Sequence, residues 1–307
     1  MGPRRPGALA LALAAGTVLP ACGREGPPPR EFDGSGALLY IERQVGFGPR
    51  VPGTDAHRRA GEWLDSLLRA RADTVVLQQW THVTAGGDTL SLTNLLARFN
   101  PGSEKRILFL AHWDSRPHAD GPASSDSTVP VPGANDGGSG VAVLLGVADV
   151  LHRAAPAIGV DLLFVDGEDY GDFTNTPNDV LIGSRYYAAH QPPGPQPLYA
   201  VLFDLVADKN LQIYQEGNSL IGAPEVVGLV WDTAKLLGYH SVFVDTPKHT
   251  LIDDHLELQK AGIRAIDVVD FDYPAWHTPN DKLDQVSAQS LQIVGDVAVA
   301  LVRREGK

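Results

Sequence analysis

The sequence predicts an open α/β fold, a mixed and mainly parallel central sheet flanked by helices. Short apolar runs at residues 106–111, 160–165, 199–205 and 263–269 have the length and apolarity of strands covered on both faces. Longer stretches with helical spacing fall between them. Strands that alternate with helices belong to parallel α/β sheets rather than to sandwiches.

In chain order, Arg4 and Arg5 precede an apolar stretch over residues 8–19, too short to span a bilayer and of the form of an export signal. Leu19-Pro20-Ala21-Cys22 follows, and a small residue before a cysteine at that place resembles the lipobox of bacterial lipoproteins. Cys22 is the only cysteine, so it can form no internal disulfide and suits lipid attachment. The expected organisation is a signal peptide over 1–22, a tether over 23–36 stiffened by Pro27, Pro28 and Pro29, and one catalytic domain over 37–307. It implies an exported lipoprotein, facing the periplasm or the cell surface, that meets the membrane only through its anchor.

Within the domain, Ala60, Trp63, Leu64, Leu67 and Leu68 share one helical face, and Thr54 is placed to cap it. Residues 74–80 and 90–99 read as strands joined through Ala85-Gly86-Gly87-Asp88. Residues 141–151 form a mostly apolar helix, and Leu291, Val294, Ala298 and Leu301 mark a last one. A hydrophobic share of 43% suits a soluble globular domain. The net charge of −12 repels phosphate backbones and argues against nucleic-acid binding. No 18-residue apolar run lies beyond the N-terminal segment, so no other span is expected.

Metal-ligand and acid–base side chains follow the apolar runs. His112-Trp113-Asp114 follows the first, Asp166-Gly167-Glu168-Asp169 the second, and Asp204 stands at the end of the third. Gly133-Ala134-Asn135-Asp136 precedes the apolar helix, and Trp276-His277 comes after the fourth run. In open α/β sheets, ligands sit beyond the carboxyl ends of the strands, so these residues should meet. Crowded carboxylates repel one another, and a divalent cation removes that penalty. Mixed oxygen and imidazole donors suit zinc.

The order His112-x-Asp114, Asn135-Asp136, Gly167-Glu168-Asp169, Asp204, Asp254-His255 and His277 resembles the superfamily of zinc aminopeptidases and animal-type glutaminyl cyclases. The resemblance runs from about Gly46 to the C-terminus and implies a zinc exopeptidase-like sheet. Asp253 before Asp254-His255, Trp276 before His277, and His112-Trp113-Asp114-Ser115-Arg116-Pro117 are similar to bacterial members of the cyclase branch. That branch implies one zinc on Asp136, Asp169 and His277, with His112 and Asp204 available to a second. It implies catalytic roles for Glu168, Asp204 and Asp253, and a substrate wall from Trp276. The animal enzymes have a further tryptophan near Phe173, and Phe173 is the residue that would substitute for it. The substrates implied are peptide or protein N-termini, and the expected state is a monomer. The aminopeptidase branch implies two zinc ions on the same residues. Asp253 could instead only cap a helix, and Trp276 only fill the core.

Overall fold

The computed structural model describes residues 1–3 and 30–306. The signal segment, Cys22 and most of the expected tether lie outside the described residues. In chain order the elements are α1 (Gly34–Gly46), α2 (Asp55–Arg69), β1 (Thr74–Val83), β2 (Thr89–Phe99), β3 (Arg106–His112), α3 (Gly138–Arg153), β4 (Gly159–Val165) and α4 (Ile182–Ala189). Then come β5 (Ala200–Asp204), β6 (Ile213–Gln215), α5 (Gly217–Gly222), α6 (Pro224–Leu236), β7 (Phe243–Pro247), α7 (Asp254–Lys260), β8 (Ala265–Val269) and α8 (Ala288–Glu305).

A six-stranded sheet runs in the order β1-β2-β4-β3-β5-β8. β4, β3, β5 and β8 pair in parallel, while β1, β2 and β4 pair antiparallel. The parallel strands are the four apolar runs, and every residue of β3 and β4 is buried. Their side chains alternate between two layers. Ile107, Phe109, Val201 and Phe203 face the large core shared with α1, α2, α3 and α8, whereas Leu108, Leu110 and Leu202 face a smaller layer with Tyr187 of α4 and Leu258 of α7. α2 buries Ala60, Leu64 and Leu68, and the Thr54 side chain accepts from His57 N, as a cap should. β6 and β7 form a separate parallel pair. Among the described residues no helix is long and apolar enough to cross a membrane.

One boundary differs from expectation. The tether expected over 23–36 ends earlier, because Asp33 caps α1 and Phe32 is buried. The Phe32 ring lies where a Cβ on Gly146 of α3 or Gly295 of α8 would come within 2.4 or 2.3 Å of it. Gly34-Ser35-Gly36 reads as linker because glycine has poor helix propensity. Packing of Ala37 and Ile41 against α3 and α8 overrides that preference. Phe32→Ala should therefore cost about 3–5 kcal/mol, as for a buried aromatic elsewhere. The measurement is the urea midpoint at unchanged m-value; an unmoved midpoint would mean that residues 30–36 contribute nothing to the fold.

Candidate active site

β3, β4 and β5 end on the same side of the sheet, and each hands one chemical group to it. β3 ends in His112, β5 in Asp204, and the turn after β4 carries Glu168 and Asp169. Asp136 lies just before α3, and His277 on the segment after β8. Asp136, Asp169 and His277 offer donor atoms within 4.8 Å of one another, and so do His112, Asp136 and Asp204. Asp136 is common to both sets. Its Oδ1 lies 3.2 Å from His112 Nε2, and its Oδ2 lies 3.6 Å from His277 Nε2. His112 Nε2 is also 3.2 Å from Asp204 Oδ1, and His277 Nε2 is 3.4 Å from Asp169 Oδ1.

These donors fit a metal ion. Oδ2 of Asp136 and Oδ2 of Asp169 are buried without a hydrogen-bond partner, a costly condition that a bound cation relieves. Burial pushes His277 down, yet Asp169, Asp120 and Asp136 outweigh it and hold the imidazole up at about 9. His112 is likewise raised against burial by Asp114, Asp136 and Asp204. Burial, and then the charges of Asp169, Asp253 and Asp254, push Glu168 well above the usual carboxylate range.

Further side chains orient these groups. Asp120 Oδ1 is 3.2 Å from His277 Nδ1, the carboxylate–imidazole arrangement that sets ring orientation at metal sites. Arg116 donates to Asp169 Oδ1 at 2.7 Å and to both oxygens of Asp120. Asp114 accepts from the N–H groups of Glu168 and Asp169 at 3.1 and 3.2 Å, so it fixes the turn after β4. Asp281 does the same for the segment before α3, accepting from Asn135 N at 2.9 Å, Asp136 N at 3.1 Å and the Tyr273 hydroxyl at 2.7 Å. Buried Arg50 donates to the carbonyls of Trp113 and Gly133 at 2.9 and 2.8 Å and ties the two ligand segments together. His277 and Leu205, which follows Asp204, both have φ near +52°. Such backbone costs about 1–3 kcal/mol in a non-glycine residue and persists only where its surroundings enforce it.

A cavity of about 300 Å³ opens beside the ligands. Glu168, Asp204 and Asp253 line its acidic side, and Trp276, Phe271 and Phe173 its apolar side. The Trp276 ring stacks on His277 at 3.9 Å between centroids and meets the Phe271 edge at 4.9 Å. Phe173 is 45% exposed, at the mouth. Asp253 does two things at once. It caps α7, accepting from Asp254 N at 2.6 Å, and it faces the cavity. A larger cleft of about 740 Å³ lies between α2 and the β1–β2 hairpin, but His57 on its floor is already engaged by Asp166 at 2.8 Å.

The structure thus brings Asp136, Asp169, His277, His112, Asp204, Glu168, Asp253, Trp276 and Phe173 to one edge, while Cys22 lies outside the described residues. Sequence reading missed Arg50, Asp120, Asp281 and Phe271. Asp281 stands four residues beyond His277 in a turn-forming Pro279-Asn280 context, which is a weak signal; nothing local marks Arg50.

The sequence model described as Peptidase family M28 matches residues 94–302. The crystal structure of Bacteroides thetaiotaomicron glutaminyl cyclase superposes with a TM-score of 0.86 at 35% identity, covering 90% of this chain and 98% of that one. A leucine aminopeptidase precursor from the same organism superposes with a TM-score of 0.86 at 35% identity over the same shares. Aminopeptidase YwaD of Bacillus subtilis is 25% identical over 256 residues, 78% of this chain and 48% of that protein, so the chain spans about half the Bacillus protein's length.

Metal and protons compete for the same imidazoles here. With His277 held at about 9, apparent metal affinity should rise with pH up to that value and fall below it. Calorimetry in buffers of different ionisation enthalpy should register proton release on metal binding at pH 7; no release would mean that the imidazole is already neutral. Asp281→Asn leaves the N–H groups of Asn135 and Asp136 poorly matched, and should lower metal affinity by about 10–100-fold.

Proposed function

The chain belongs to peptidase family M28, and on that footing we propose that it is a zinc-dependent glutaminyl-peptide cyclotransferase, which converts the N-terminal glutamine of peptides to pyroglutamate with release of ammonia. The observation that carries the reading is the cavity beside the metal ligands, which Trp276 lines together with Glu168, Asp204 and Asp253. Likeness to the Bacteroides glutaminyl cyclase over 90% of the chain supports it.

Zinc on Asp136, Asp169 and His277 would supply a Lewis acid for the side-chain amide carbonyl. The glutamine side chain lies against Trp276. Glu168 takes a proton from the α-amine, whose nitrogen attacks the carboxamide carbon of the same residue. The new C–N bond closes a five-membered lactam, the old one breaks, and ammonia leaves with the proton from Glu168. No water is consumed. Asp204 and Asp253 accept hydrogen bonds from the leaving amide, and repulsion between the two acids is relieved when one of them keeps a proton. Burial and the neighbouring Asp204 charge push Asp253 well above the usual carboxylate range, and so favour it as the protonated member.

A two-zinc aminopeptidase is the second reading. The geometry that favours it is His112 at 3.2 Å from both Asp136 and Asp204, a second donor set already formed. There Glu168 would activate water instead. Export and lipid attachment at Cys22 complete the proposal, and Cys22→Ser should shift the protein from the membrane fraction to the soluble one.

Turnover of a glutamine-blocked fluorogenic amide beside a leucine anilide, with zinc per chain counted on one preparation, separates the two activities. Ammonia release without leucine hydrolysis is expected, and leucine hydrolysis with two zinc ions would overturn the cyclase. Glu168→Gln should lower kcat about 10²–10⁴-fold with metal retained. Asp253→Asn and Trp276→Ala should impair cyclisation far more than any peptide hydrolysis.

A further inference from the structure

Glu216 lies outside the cavity, between β6 and α5, yet it is buried and points its carboxylate at the segment that forms the cavity rim. Its Oε1 accepts from Leu251 N at 2.9 Å and Asn218 N at 2.8 Å. Its Oε2 accepts from Ser219 N at 2.6 Å and the Ser219 hydroxyl at 2.7 Å, and lies 3.3 Å from His255 Nε2 on α7. Ser219 Oγ in turn accepts from Asp267 N on β8 at 2.9 Å. One carboxylate therefore joins α5, α7, β8 and the rim.

The rim is pinned to the Glu216 segment at more points. Lys248 N donates to Gln215 O at 2.9 Å, Gly217 N to His249 O at 3.0 Å, and Asn218 Nδ2 to Leu251 O at 2.7 Å. The two segments lie so close that a Cβ on Gly217 would come within 2.3 Å of the Thr250 hydroxyl oxygen and 3.2 Å of His249 O. His249 is held at φ +57° within this segment. Immediately beyond come Leu251, Ile252 and Asp253, all of which line the cavity.

We propose that Glu216 is a positioning residue: its buried carboxylate latches residues 248–252 onto α5 and thereby sets where Leu251, Ile252 and Asp253 stand against the substrate. It touches neither substrate nor metal. Burial pushes the Glu216 carboxyl up, but His255, the N–H groups of Leu251 and Asn218 and the Ser219 side chain outweigh it and hold it at about 2, so the latch stays ionised throughout the neutral range. A neutral amide there presents donors to groups that are themselves donors, and the rim loses its fixed position.

The inference rests on the cyclase reading for its substrate alone. Glu216→Gln, assayed with the glutamine substrate well below its melting temperature, should keep the wild-type metal content. It should lose kcat/KM on the order of 10–100-fold, in KM through Leu251 and Ile252 and in kcat through Asp253. Asn218→Ala, which removes only the bond to Leu251 O, should shift the same constants in the same direction by less, and it serves where Glu216→Gln fails to fold. Phe32→Leu, remote from the site, controls for stability, since a similar loss in Tm there should leave kcat and KM unchanged. Wild-type constants in both Glu216→Gln and Asn218→Ala would overturn the latch. So would an equal loss in Phe32→Leu, since that would mark a purely structural effect. Wild-type protein that hydrolyses leucine anilide and releases no ammonia would instead sink the cyclase reading, and the same variants then test the latch on the anilide.

Discussion

Negative charge crowded around Asp136 is the constraint on which the catalytic edge depends. Asp136 has one oxygen 3.2 Å from His112 and the other 3.6 Å from His277, with Asp169 and Asp204 beyond them. Like charges a few ångströms apart in a dry interior repel strongly. Two imidazoles and the Arg116 guanidinium on Asp169 offset part of that charge, and a bound metal ion would offset more of it. The backbone there is correspondingly over-determined, with left-handed residues at His277 and after Asp204 kept in place by their neighbours.

Three of the chain's 37 acidic residues hold loop geometry around the site. Asp114, Asp281 and Glu216 each accept from two or more backbone N–H groups, and each fixes a segment that bears a site residue. A carboxylate is well suited to this, because hydrogen bonds to a charged acceptor are short and strong.

Legibility followed physical range. The parallel strands could be read because burial on both faces leaves an unbroken apolar run, and the metal donors because strand ends in such sheets converge. Thr54 could be read as a cap because capping is local. α1 could not, since its helix rests on Phe32 packing against two distant glycines and its own first turn is glycine-rich. Arg50 and Asp281 escaped for a related reason. Their partners are backbone atoms more than sixty and a hundred residues away, respectively, and no spacing pattern records such contacts. Asp253 shows how two readings can coexist, as one side chain both caps α7 and lines the cavity.

Docking of Phe32 also ties the entry of the chain to its far end. The ring sits against α3 and α8, and Arg303 near the end of α8 donates to both oxygens of Glu31 at 3.0 and 2.7 Å. A pull on the chain ahead of residue 30 is therefore borne by the helices of the large core, and the catalytic edge on the far ends of the strands is shielded from it.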